Sequence, residues 1–244
     1  MTRGRLILVG SGEFTPAMDD LDREVLAGLA RRRVAVVPTA SGLEDTPPSW
    51  VALAESHFAS LDAEAVGVMV LRRDDAREHR WIEALRGVDW IYFSGGRPQH
   101  AINVLAGTPF WDEVLRLHRS GAVLAGASAG AMMLGEKSYA PDDFDAAGFP
   151  QNVSVRDGLG VLGGHFVIPH FDLLGQFPSE RIQNWIAVWP EGLRGIGIDE
   201  DTAVVEGTDG WTVRGRGRAV TMTSFERRQV HATGERFDSI PILI

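Results

Sequence analysis

Short apolar runs alternate with longer amphipathic ones along this chain. Near-continuous apolar runs fall at residues 5–9, 33–37, 66–71, 88–93, 122–125, 165–168 and 196–198, most of them bounded by Gly, Pro or Ser. Runs this short, without alternation, are what strands covered on both faces require. Between them, Met18, Leu21, Val25, Leu26 and Leu29 recur at helical spacing within 17–31, and segments 49–60, 75–86, 98–106, 110–119 and 178–188 repeat the pattern. Strand–helix alternation of this kind predicts an α/β fold with a mostly parallel sheet and helices on both faces, a three-layer αβα sandwich. The end of the chain differs. Residues 202–205, 211–214 and 219–222 are short, β-rich and separated by Gly turns, which predicts a small antiparallel C-terminal extension at one edge. Segment 140–164, rich in Asp and Gly, reads as a long loop over one rim. Ile240, Ile242 and Ile244 alternate, as an edge strand or a dimer contact would. No repeat or linker interrupts the pattern, so a single domain over 1–244 is expected.

Composition narrows the partners. Lys plus Arg number 24 against 33 Asp plus Glu, a formal net charge of −9. A nucleic-acid binder ordinarily carries a basic face, so no nucleic-acid partner is expected. The absence of cysteine removes disulfides, thiolate metal sites and every cysteine-nucleophile mechanism. No apolar stretch approaches the ~18 to 20 residues of a membrane span, and the apolar run after Arg5 is too short for a signal peptide. A cytoplasmic protein with no membrane partner is expected. A homodimer stays open.

In open α/β sheets, ligands bind beyond the C-terminal ends of the strands. Six places in this sequence answer to that rule: Gly10-Ser11-Gly12-Glu13, Thr39-Ala40-Ser41, Ser94-Gly95-Gly96, Gly126-Ala127-Ser128, His170, and Asp199-Glu200. Gly126-Ala127-Ser128-Ala129-Gly130 is G-x-S-x-G between an expected strand and a helical run at 129–134, the setting of a nucleophile elbow. The tight turn presents the Ser128 hydroxyl, and the Ala129 N–H would lie beside the attacked carbonyl. The plain alternative is a Gly- and Ala-rich turn without catalysis.

A serine hydroxyl needs a base within hydrogen-bond reach. Of seven histidines, His57, His79 and His118 lie in helical segments and His231 in the C-terminal tail. His100 is a weak candidate, and His165 opens a strand. His170 is the strongest, because Pro169 stops the strand and leaves it on the rim. The acid that orients it is Glu200 in preference to Asp199, with Asp142, Asp143 or Asp145 as alternatives. Nucleotide motifs fail: Thr15 leaves G-x-G-x-x-G incomplete, and Glu136 interrupts the near phosphate loop of 130–138. His165 and His170, five apart on a strand, point to opposite faces, so no metal site is expected there.

Tyr92-Phe93-Ser94-Gly95-Gly96, Gln99, Leu105 and the Ser128 block resemble the aspartyl dipeptidase and cyanophycinase family of serine peptidases. Ile168-Pro169-His170-Phe171, the stretch Gly195-Ile196-Gly197-Ile198-Asp199-Glu200-Asp201-Thr202-Ala203 and the N-terminal Gly10-Ser11-Gly12-Glu13 extend the likeness over about residues 5–222. The resemblance implies a class I glutamine amidotransferase-like fold. It implies Ser128 as nucleophile, His170 as base and Glu200 as acid, with Gly96 and Ala129 as oxyanion donors and no cofactor. It further implies a small aspartyl peptide as partner, with Gly95, Gln99 and Arg181 near it; by charge alone, Arg97 or Arg181 would hold an acidic side chain in a bidentate contact. Departures exist: Arg97-Pro98-Gln99 follows the double glycine, and Phe171-Asp172-Leu173-Leu174 replaces the Arg-rich run of cyanophycinases. An esterase with its acid between Ser128 and His170, and a ligand-binding member without catalysis, are the rival readings.

Overall fold

A computed structural model of the protein describes residues 3–141, 143 and 150–244. Five parallel strands form its centre: β1 (Leu6–Val9), β2 (Arg33–Val37), β3 (Glu64–Gly67), β4 (Trp90–Phe93) and β5 (Val123–Ala127). Their spatial order is β1, β5, β4, β2, β3. Successive side chains of a strand point to opposite faces. Leu6 and Leu8 accordingly enter one apolar core, whereas Ile7 and Val9 enter the other. Burial of both faces explains why these strands read as unbroken apolar runs.

Helices α1 (Asp19–Ala27) and α2 (Pro47–Ser60) cover one face through Leu21, Val25, Leu26, Ala54 and Phe58. The other face receives α3 (His79–Ala84), α4 (Pro98–Leu105), α5 (Pro109–Arg119) and the single turn α6 (Ala129–Met132). There Ile102, Leu105, Phe110 and Val114 are buried, with Trp81 and Ile82 of α3 packed against them. The α/β sandwich around a large, mostly parallel sheet thus agrees with the hydrophobic pattern. Among the described residues no helix is long and apolar enough to cross a membrane.

Three expectations need correction. Segment 140–164 carries an antiparallel hairpin, β6 (Lys137–Pro141) with β7 (Val153–Asp157), rather than a plain loop. Runs 165–168 and 196–198 become β8 (His165–Ile168) and β9 (Arg194–Ile198), which pair in parallel in a second sheet. Of the C-terminal strands, β10 (Thr202–Gly207) extends the main sheet antiparallel to β1 and β11 (Gly210–Gly215) pairs antiparallel with β10, but β12 (Arg218–Met222) leaves it to pair with β9. The second sheet then runs β13 (Arg228–Ala232), β12, β9, β8, while β14 (Arg236–Phe237) closes the edge of the first. In the tail, Ile240 is buried in the chain's own core and Ile242 makes an antiparallel bridge to Leu162, as an edge strand would.

The two sheets meet where β1 and β9 end. The Gly10 N–H donates to Thr202 O at 2.9 Å. A Cβ at Gly10 would stand 2.1 Å from the Asp199 carbonyl oxygen, so only glycine allows this approach. The junction brings the C-terminal ends of β4, β5, β8 and β9 to one rim.

Candidate active site

Pairing of β5 with β1 sets Ala127 beside Val9, and the Ser128 N–H continues the ladder to Val9 O at 2.9 Å. The chain then turns sharply. Ser128 has φ 49° and ψ −116°, a backbone state that L-residues seldom adopt. The flanking glycines are obligatory. A Cβ at Gly126 would fall 2.3 Å from Gly130 O, and one at Gly130 would fall 2.4 Å from Phe93 O.

His170 follows β8 and Pro169 in a left-handed conformation, φ 51° and ψ 37°, and opens a 3₁₀ turn at Phe171–Gln176. Its Nε2 lies 2.9 Å from Ser128 Oγ, and its Nδ1 lies 2.8 Å from Glu200 Oε1. Both bonds form together when the neutral ring carries its proton on Nδ1: it donates to Glu200 and accepts from the serine hydroxyl. The Glu200 N–H donates to Asp172 Oδ1 at 2.9 Å, which ties the carboxylate's backbone to the 3₁₀ turn after His170.

The other acids are turned elsewhere. Asp199 Oδ2 accepts from Arg218 N at 2.9 Å and from Arg218 Nε at 3.2 Å. Asp143 accepts from the Asn152 N–H at 2.8 Å. Asp142 and Asp145 lie outside the described residues. The remaining histidines are also bonded away from Ser128: His100 to Leu71 O, His118 to Ala122 O, His165 to Gly163 O, His57 to Asp22 and His231 to Thr221. His79 lies near Glu83 on an exposed helix. His231, read as a tail residue, is buried on β13.

The double glycine faces the elbow. A Cβ at Gly95 would touch the Ser128 side chain at 3.4 Å, and Gly96, with φ 137°, would bring one to 2.4 Å from the Ala40 carbonyl carbon. The Gly95 N–H donates to Glu13 Oε1 at 3.0 Å. Among the described residues, neither the Gly96 nor the Ala129 N–H has an acceptor. Glu13, which the sequence places on the rim without a role, takes part here. Its side chain is almost wholly buried. Desolvation holds its carboxyl above the ordinary carboxylate value, against its backbone hydrogen bonds and the nearby His170. The signal for a role was an acidic residue four positions beyond the buried strand β1, after the small residues Gly10, Ser11 and Gly12.

Ser128, His170, Glu200, Gly96 and Arg97 line one cavity of about 400 Å³. Arg97 Nε stands 4.0 Å from Glu44. Three expected substrate contacts, Gly95, Gln99 and Arg181, are not among the residues that line this cavity, although Gly95 faces the Ser128 side chain. Gln99 turns along α4, where its Nε2 donates to Asn103 at 3.0 Å. Arg181 lies on the helix α7 (Ser179–Ala187), and its guanidinium sits over the Phe177 ring, 5.4 Å from the centroid.

The model of Peptidase family S51 matches residues 6–213. The chain belongs to peptidase family S51. Among similar proteins, the cyanophycinase of Nostoc sp. is 29% identical over 195 residues, covering 78% of this chain and 63% of that one. The cyanophycinase of Synechococcus elongatus is 30% identical over 202 residues, covering 82% and 60%. This S51 chain therefore spans less than two thirds of the length of those relatives. A solved structure of a peptidase from an acI-B1 Actinobacterium superposes with a TM-score of 0.84 at 30% identity, covering 97% of each chain.

Proposed function

We propose that this S51 chain is a serine peptidase that hydrolyses aspartyl peptide bonds in short peptides. The observation that carries the reading is the continuous hydrogen-bonded line from Ser128 Oγ through His170 to Glu200, ending on a strained elbow. His170 takes the hydroxyl proton as Ser128 Oγ attacks the carbonyl carbon. Glu200 keeps the ring in the reactive tautomer and stabilises the imidazolium. The Gly96 and Ala129 N–H groups receive the developing oxyanion, each such donor worth about 3 kcal/mol of barrier. His170 returns the proton to the leaving nitrogen as the C–N bond breaks. Water then cleaves the acyl-serine by the same steps in reverse. Arg97 meets the aspartyl carboxylate by a charge-assisted contact.

The name of the relatives adds a narrower candidate substrate, cyanophycin-like β-Asp-Arg. The esterase reading with an acid between Ser128 and His170 loses its support, since Asp143 bonds to Asn152 and Glu200, which follows His170, is the carboxylate that meets its ring. The test is a cleavage panel read by mass spectrometry: α-Asp and β-Asp dipeptides, neutral dipeptides and a short acyl ester. Turnover confined to aspartyl peptides is the expected result. Turnover of the ester alone, or of nothing, would overturn the proposal.

A further inference from the structure

Helix α7 is amphipathic, yet neither it nor the 3₁₀ turn at Phe171–Gln176 buries a single residue in the core. Leu173, Leu174, Phe177, Ile182, Trp185 and Trp189 from this region are half-buried instead, and they line the cavity that holds Ser128. Contiguous apolar surface left unfilled at a pocket marks a binding site. A volume of about 400 Å³ lies within the range of small-ligand pockets, about 300–1,000 Å³.

The polar handles of this wall are already engaged. Trp185 Nε1 donates to Gln151 O and Trp189 Nε1 to Leu193 O, each at 3.1 Å, and the Tyr139 hydroxyl donates to Trp185 O at 3.1 Å. What remains for a ligand is carbon surface. Among the described lining residues Glu200 is the only carboxylate, and it is bonded to His170. Among the described residues, a cationic side chain placed here would give up its hydration with no free carboxylate to meet it, a costly exchange.

The wall also has a side. Ile168 and Pro169 precede His170 directly, and Leu173 and Leu174 follow it within one turn. The imidazole that takes the proton from Ser128 hands it to the leaving nitrogen. The residue carrying that nitrogen therefore sits on His170's flank, against this wall. Resting on the serine-peptidase reading above, we infer that the leaving residue is large and apolar, so that the preferred substrates are aspartyl-leucine and aspartyl-phenylalanine peptides rather than aspartyl-arginine ones.

The experiment compares kcat/KM for Asp-Leu, Asp-Phe, Asp-Ala and Asp-Arg, in both α and β linkages, for the wild type and Leu174→Glu. Leu174 is half-exposed, so the variant folds without disturbing the core. Asp-Leu and Asp-Phe are expected to exceed Asp-Ala by roughly 10- to 150-fold, the ratio from moving such a side chain out of water. Leu174→Glu is expected to lower both and to raise Asp-Arg. Cleavage with Asp-Arg or Asp-Ala equal to or above Asp-Leu would overturn this inference and leave the peptidase intact. Cleavage of no peptide would instead remove the peptidase reading. A second readout then decides the pocket by itself: titration of Ser128→Ala with leucinamide and argininamide, followed by tryptophan fluorescence through Trp185 and Trp189. Saturable change with leucinamide at lower concentration than with argininamide supports the apolar pocket. The reverse order, or no change with either, contradicts it.

Discussion

Ser128 and His170 both hold positive φ, as do Phe14 and Asp201 on the flanking turns. Such conformations cost of order 1–3 kcal/mol each and persist only where the surroundings impose them. Here a backbone bond to Val9, two glycines without room for a Cβ, and the ring bonds of His170 do so. Glu200→Gln keeps the shape but removes the charge that orients the imidazole. We expect kcat to fall about 10²- to 10⁴-fold with an unchanged melting temperature, measured by initial rates on an aspartyl dipeptide. Glu13 supports the double glycine from beneath. Glu13→Ala leaves the buried Gly95 N–H unpaired, a cost of about 1–3 kcal/mol, and a drop in kcat of roughly 10- to 100-fold is expected, whereas Glu13→Gln keeps the acceptor and most of the rate. The pH dependence has a definite sign. A carboxyl raised on folding binds its proton more tightly in the native state, so the stability it contributes is present at acid pH and declines as pH rises through the raised value. Glu13→Gln removes that decline. Its melting temperature relative to wild type is expected to rise between pH 4 and pH 7, and a constant difference would contradict this account.

At the scale of elements, the rim was legible because every candidate group follows a strand end. β1, β4, β5, β8 and β9 stop within four residues of Glu13, Gly95, Ser128, His170 and Glu200. Which sheet each strand joins was not legible. Runs of four or five apolar residues carry no register, and the pairing of β12 with β9 rather than with the main sheet depends on long-range contacts that periodicity does not encode. The hairpin of β6 and β7 was missed for a related reason, since Asp and Gly around it gave turn signals stronger than its own alternation. Gln99 and Arg181, carried over from a resemblance, show the limit of position alone: each sits on the expected helix, but Gln99 bonds along α4 to Asn103 and Arg181 stacks on Phe177, a residue of the cavity wall, without lining the cavity itself. The elbow supplies an element-scale test. Gly126→Ala drives a methyl into Gly130 O, so β5 and α6 can no longer meet at this angle. Loss of soluble folded protein, or a melting temperature lowered by more than about 6 °C, is expected by calorimetry.

For the whole molecule, two sheets of different direction share one rim, and the C-terminal tail holds the second against the first. Gly163 N–H donates to Pro241 O at 2.7 Å, Leu243 N–H donates to Val161 O at 3.0 Å, and Ile240 fills the core beside them. Deleting residues 240–244 removes a buried isoleucine and both bonds. A loss of at least about 3 kcal/mol is expected, or roughly 6–12 °C in melting temperature, with kcat/KM falling less than stability because the rim residues lie elsewhere. The measurement that bears most directly on the central claim is made on an aspartyl dipeptide, with wild type and Ser128→Ala at matched folded concentration, following product release and the intact protein mass after acid quench. The account expects hydrolysis and a transient acyl mass on the wild type alone, with the variant reduced about 10⁴- to 10⁶-fold. Equal hydrolysis by Ser128→Ala would contradict it.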